Sequence, residues 1–199
     1  MAAIVEQNGA GAATLYAYTT SGDYDVTTVT IPGRGDWDYR HRGYMLFSVT
    51  DPLGRTTIFR YDGQARTAAT ENARGHLTRT QYDERGNPVK EIAPDALGTI
   101  TRTFNASNDL LTEKDARLNT ASYDYATSAN ADYQLGQLKT ITDREGGVTT
   151  FKYWTTTSTP TPPATHVGQL KSAQNPRLQT TSYDYDAAGN LSKVTSPLG

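Results

Sequence analysis

The chain has 199 residues, a formal net charge of −2 and no cysteine. Its length admits one ordinary domain or two small ones; its charge leaves no cationic excess to neutralise phosphates, which argues against a nucleic-acid partner; and the missing thiols remove disulfides, thiolate nucleophiles and zinc ribbons. Threonine (32), glycine (17) and tyrosine (13) are abundant, a composition of pleated strands and tight turns rather than helices.

In chain order, the opening MAAIVEQNGAGAATL lacks the basic start and sustained apolar core of a signal peptide, and no later run approaches the roughly 18 apolar residues of a membrane helix. Residues 1–13 are rich in glycine and alanine and are expected to be a flexible N-terminus. Residues 14–42 follow as a β-hairpin, Thr14 to Ile31 around Ser21-Gly22-Asp23, and a polar loop, PGRGDWDYRHRG, that carries Trp37. The tripeptide Arg34-Gly35-Asp36 in that loop has nothing beyond its three letters to support an adhesive role.

From residue 43 the chain repeats itself. An Asp or Asn opens a turn and an aromatic residue follows ten positions on: Asp51 and Tyr61, Asn72 and Tyr82, Asp115 and Tyr125, Asp143 and Tyr153, Asn175 and Tyr185. A sixth copy begins at Asp95, with Phe104 one residue early. Between copies recur GQLKTITD, GQLKSAQN and GNLSKVTS. Each unit therefore reads as strand, turn, strand, turn in about 21 residues, which fits two short strands and two tight turns. Asp51-Pro52-Leu53-Gly54 has the residues of a type I turn, with Asp capping, Pro presetting φ and Gly fourth. Leu118 and Leu178 stand where Gly54 does, which predicts a turn that needs no positive φ there. Extra residues near 126–134 and 154–167 interrupt the array as inserted loops, and TTTSTPTPPAT (155–165) predicts an exposed, extended excursion.

The strands alternate. Thr57, Phe59 and Tyr61 share one parity with Ala121, Tyr123 and Tyr125 and with Thr181, Tyr183 and Tyr185; the other parity holds Arg60, Gln81, Asp124, Lys152 and Asp184. That pattern belongs to an antiparallel sheet with one face packed and one face wet. The fold class is thus all-β: antiparallel β-hairpin repeats forming a curved continuous sheet, with Tyr61, Tyr82, Phe104, Tyr125, Tyr153 and Tyr185 as the structural repeat aromatics and the ring stripe as its core.

The pattern GxLxxxTDxxGxxTxYxYDxxG, quoted from these units, resembles the RHS/YD repeat of bacterial RHS proteins, insecticidal toxin complex B and C components, wall-associated proteins and teneurins. The resemblance covers residues 43–199, as an array of about six to seven units. It implies a partial YD-repeat shell: a structural, non-enzymatic segment of a secreted or cell-surface protein whose partners are further YD repeats or a cognate toxin or effector domain that the shell encapsulates. The residues themselves offer no catalytic, cofactor or metal constellation. His41, His76 and His166 are scattered, no G-x-S-x-G or phosphate loop occurs, and Asp23/Asp25 and Asp36/Asp38 lack the rest of a calcium loop. The alternative is a carbohydrate-binding or adhesive surface module, with Trp37 and Trp154 as the glycan contacts.

Overall fold

The computed structural model describes residues 3–8, 12–94 and 97–197. It is all-β, with a short 3-10 turn at Ala164–His166. The chain divides into two compact units, residues 1–99 and 100–199. In the first, the strands are β1 (Ala3–Asn8), β2 (Ala12–Ser21), β3 (Tyr24–Ile31), β4 (Gly35–Arg42), β5 (Met45–Thr50), β6 (Thr56–Tyr61), β7 (Thr67–Glu71), β8 (Leu77–Tyr82) and β9 (Pro88–Ile92). In the second they are β10 (Thr99–Phe104), β11 (Leu110–Lys114), β12 (Thr120–Tyr125), β13 (Leu138–Thr142), β14 (Val148–Tyr153), β15 (Leu170–Gln174), β16 (Thr180–Tyr185) and β17 (Leu191–Thr195). Within each unit every strand pairs antiparallel with the next in sequence, so both are meanders of hairpins.

The alternation read from sequence fixes which side chains meet. Tyr39 faces Val49, which faces Thr57; Phe59 faces Thr70. In the second unit Tyr123 faces Ile141, which faces Thr149, and Phe151 faces Ala173, which faces Thr181. Each such cross-strand pair stabilises the sheet by about 0.2–1 kcal/mol. On the opposite parity Arg60, Gln81, Asp124, Lys152 and Asp184 are all exposed. The rings do share one side.

They do not make a closed core. All six repeat aromatics are half-buried, the buried apolar residues are Val26, Ala121 and Ala126, and no large side chain is fully buried among the described residues. A single sheet has nothing stacked against its apolar face within the meander, so its rings are covered only by neighbours on adjacent strands.

Each aromatic sits at a β-bulge. Arg60 pairs with Ala69 but Tyr61 with Thr67, leaving Ala68 unpaired; the same one-residue shift precedes Tyr82, Phe104, Tyr125, Tyr153 and Tyr185. Phe104, displaced by one in the sequence count, therefore occupies the equivalent place, opposite Leu110. The segment before it is closed by Ala93 N–H to Gly98 O at 3.0 Å, where the Asp51 turn is closed by Asp51 N–H to Arg55 O. Asp95 lies outside the described residues.

Two segments differ from expectation. The polar loop at 32–43 is mostly strand β4, in full register with β3. Its Trp37, Tyr39 and His41 alternate with Asp36, Asp38 and Arg40, a strand pattern masked by its charges and flanking glycines. Residues 1–13 were expected to be flexible, but Ala3–Asn8 pairs as β1 with β2.

Candidate functional site

Nine turns repeat one hydrogen-bond scheme. At Asp51, Asp62, Asn72, Asp83, Asn105, Asp115, Asp143, Asn175 and Asp186, the opening residue's N–H bonds the carbonyl four residues on, and its own carbonyl accepts from the residue three on. Its side-chain Oδ1 accepts two more backbone N–H groups, two and four residues ahead, at 2.7–3.1 Å. Only an acceptor oxygen is needed, which is why Asn and Asp interchange. Where the opener is Asp62 or Asp186, the N–H four residues on, from Arg66 or Asn190, is the chief cause holding the carboxyl below its ordinary value; at Asp83 the Asn87 amide is. These carboxylates are committed to their own backbones.

The fourth turn residue is left-handed throughout, including Ala65 (φ 61°), Asn108 (67°), Leu118 (70°) and Leu178 (61°). The two leucines thus do not mark a turn with ordinary φ; they accept a conformation that costs a non-glycine residue roughly 1–2 kcal/mol. Both are exposed.

The tyrosines complete the scheme. Tyr61 Oη donates to Leu46 O at 2.7 Å, Tyr82 to Thr67 O at 2.9 Å and Tyr185 to Leu170 O at 2.8 Å. The acceptor is always the first or second residue of the preceding strand, beside its bulge. Tyr125 and Tyr153 make no such bond among the described residues, and burial raises the pKa of both phenols. Along the same rim, turns are tied to their neighbours: Arg66 Nη1 donates to Asp83 O (3.1 Å), Gln137 Nε2 to Gly168 O (3.2 Å) and Gln169 Nε2 to Gly189 O (2.7 Å). Arg66 also lies 4.6 Å above the Tyr82 ring.

Both insertions replace a turn of this rim. Ala126 and Trp154 stand where the opening Asp would be, and their N–H groups bond Gln137 O (2.8 Å) and Gln169 O (2.9 Å) across the longer loops. The second insertion is exposed over most of 155–165, as its composition predicts, but Thr155 and Ser158 are buried where it packs on the first. Thr155 and Ser158 are each 3% exposed. Ser158 Oγ accepts from Thr155 N–H (2.9 Å) and donates to Ala131 O (2.8 Å), which Thr155 Oγ1 also reaches (3.1 Å). Lys152 pairs with Asp132 at 2.9 Å, and the Tyr133 and Tyr153 rings meet edge to face. The loop's far end grips the last turn, with Thr165 Oγ1 donating to Ala187 O and His166 Nε2 lying 2.9 Å from Asp186 O.

The two tryptophans differ. Lys171 Nζ lies 4.4 Å over the Trp154 ring, and Trp154 Nε1 is buried without a hydrogen-bond partner among the described residues. Its ring is occupied by its own chain. Trp37 lies on β4 between two open cavities, one of about 370 Å³ lined by Val49, Asp51, Arg55, Asn72 and Arg74, the other of about 450 Å³ lined by Ile31, Arg34, Tyr39 and Pro52. Gly35 makes this possible: a Cβ there would lie 2.8 Å from Pro52 Cβ, so only glycine lets the Arg34 turn close onto the Asp51 turn. Arg34, Asn72 and Arg74 are not legible as a group, since Arg34 comes from one turn and Asn72 and Arg74 from another far along the chain. Among the described residues, no group of three His, Cys, Asp or Glu could hold a metal ion, and no helix is long and apolar enough to cross a membrane.

These observations define a β-hairpin repeat protein built on an Asx-capped turn and a bulged aromatic strand. Residues 166–199 match the RHS repeat family, the repeat that the sequence resembles. No curated protein matches it. Among solved structures it is similar to that of TcdB2-TccC3-TEV, with 12% identity over 95% of this chain and a TM-score of 0.38. A TcdB2-TccC3 structure without its hypervariable C-terminal region gives 13% identity over 95% and a TM-score of 0.36. The Photorhabdus luminescens Tc holotoxin pore with TccC3-D651A gives 14% over 94%, with a TM-score of 0.27. The chain spans only 14–15% of the length of these structures.

Proposed function

We propose that this chain is a structural wall segment of an RHS-type shell, non-enzymatic, part of a larger secreted or cell-surface protein, and partnered by further repeats and by a toxin or effector domain enclosed within the shell. The observation that carries the reading is a hairpin repeated through both units with a half-buried aromatic face and no large side chain fully buried among the described residues. That is the anatomy of a wall. A self-sufficient enzyme of this size would need a packed interior to hold its catalytic groups. Strand β17 fits the same reading: within its unit it forms a ladder with β16 alone, and Leu191 and Val194 stand 54% and 52% exposed. Another hairpin would cover both.

The test is to express the chain together with the coding sequence that flanks it and to digest the product with protease. A closed particle that keeps an internal segment intact is the expected result; an extended protein degraded throughout would remove the proposal.

A second reading is favoured by one feature, the Trp37 ring between two open cavities. An accessible aromatic face flanked by planar polar side chains is the surface on which a sugar ring stacks, so Trp37 is proposed as a glycan contact. Trp37 fluorescence that stays flat across a broad glycan panel would eliminate it.

A further inference from the structure

We infer that the Trp37 face selects acidic saccharides, those bearing carboxylates, over neutral ones; this rests on the glycan reading of Trp37. The argument is an inventory of what the surrounding groups have left to offer. Asp51, the carboxylate common to both cavities, is spent: Oδ1 accepts from Leu53 N–H and Arg55 N–H, and Oδ2 is held by Arg55 Nε and Nη2, each at 2.6 Å. That pair also uses up the charge of Arg55. Asn72 Oδ1 accepts from Arg74 N–H and His76 N–H, which leaves its amide nitrogen as a donor. The Arg34 and Arg74 guanidiniums form no ion pair or side-chain hydrogen bond among the described residues; both residues are exposed, and each lines a different one of the two cavities that share Trp37.

The unspent charged and amide groups are therefore all donors, two of them cationic. Among the side chains that line the two cavities, only the Tyr39 and Thr57 hydroxyls can still accept. A neutral sugar presents hydroxyls that donate as often as they accept, and these side chains offer few acceptors to receive them. A carboxylate is acceptor-only and matches a guanidinium bidentately. Two cavities, each with its own arginine and a shared Trp ring, suit an oligomer with an acid on successive residues.

The experiment uses the full chain. Because there are two tryptophans, a Trp154→Phe variant makes Trp37 the sole reporter, and calorimetry on the unaltered chain gives the same affinity without relying on that variant. The probes are an oligogalacturonate, its fully methyl-esterified form and a polyglutamate of similar charge. The expected result is that the oligogalacturonate binds at least tenfold more tightly than the ester. Its affinity should fall with salt and drop by roughly three- to tenfold in Arg34→Gln and in Arg74→Gln, while thermal unfolding is unchanged. Equal affinity for acid and ester overturns the selection for charge but leaves Trp37 a glycan contact. Failure of both to bind removes the glycan reading and this inference with it. Polyglutamate binding as tightly as the oligogalacturonate overturns the saccharide class, leaving a charge patch only.

Discussion

A tyrosine at the wet end of a half-buried strand has to place a ring and a hydroxyl in different surroundings, and the bulge supplies both. The extra residue lies on the following strand, opposite the ring, while the hydroxyl reaches back to the carbonyl fifteen residues upstream, as at Tyr61, Tyr82 and Tyr185. Phe104 holds the same place with a ring alone. Replacing Tyr61, Tyr82 or Tyr185 by Phe is therefore expected to cost about 1 kcal/mol each in urea unfolding, and Tyr125→Phe or Tyr153→Phe distinctly less. Equal losses at all five would mean that the hydroxyl bond contributes nothing. The ring positions were legible because the ten-residue count from each turn opener is regular. Their acceptors were not, because that contact depends on a one-residue register shift that no local pattern announces. Leu118 and Leu178 were misread for a related reason. The sequence shows a leucine in glycine's place, but the backbone bonds closing the turn, Leu118 N–H to Asp115 O and Asp115 N–H to Asn119 O, decide its φ.

The two insertions show how an element can look disordered in sequence and still be ordered by contacts far along the chain. Thr155 and Ser158 belong to a stretch whose polarity reads as solvent-loving, yet their hydroxyls are consumed by the Ala131 carbonyl, 24 and 27 residues back. Strand β4 was missed in the opposite way, its three inward positions hidden among charges. Where the insertions begin was legible, since the turn opener is replaced by Ala126 and Trp154. That they dock on one another was not. Ser158→Ala removes the acceptor for Thr155 N–H and one donor to Ala131 O, leaving a buried N–H without a partner, a loss of about 1–3 kcal/mol within the loop. Limited proteolysis is expected to cut between residues 154 and 169 faster in that variant, with the surrounding strands undisturbed. An unchanged cutting rate would show that the loop is held by its ends alone, through Gln169 and His166.

At the scale of the whole molecule, a sheet with so little buried apolar surface depends on its turns to an unusual degree, and the turns titrate. The carboxyls of Asp51, Asp62, Asp83, Asp115 and Asp186 all lie below the ordinary value of 3.8 in the folded chain. A folded-state pKa below the unfolded one means that the unfolded chain binds protons first. The stabilisation is therefore fully present above the unfolded value and is lost as pH falls through the folded values. The urea midpoint should be flat from neutral pH down to about pH 5 and then decline steeply below about pH 4. Asn72, Asn105 and Asn175 hold identical turns without a proton to exchange. Converting Asp62, Asp83 and Asp186 together to Asn should therefore preserve the fold and make the acid decline shallower, though Asp51 and Asp115 keep it from vanishing. A triple variant with an undiminished acid slope would show that these three carboxyls do not carry the sensitivity.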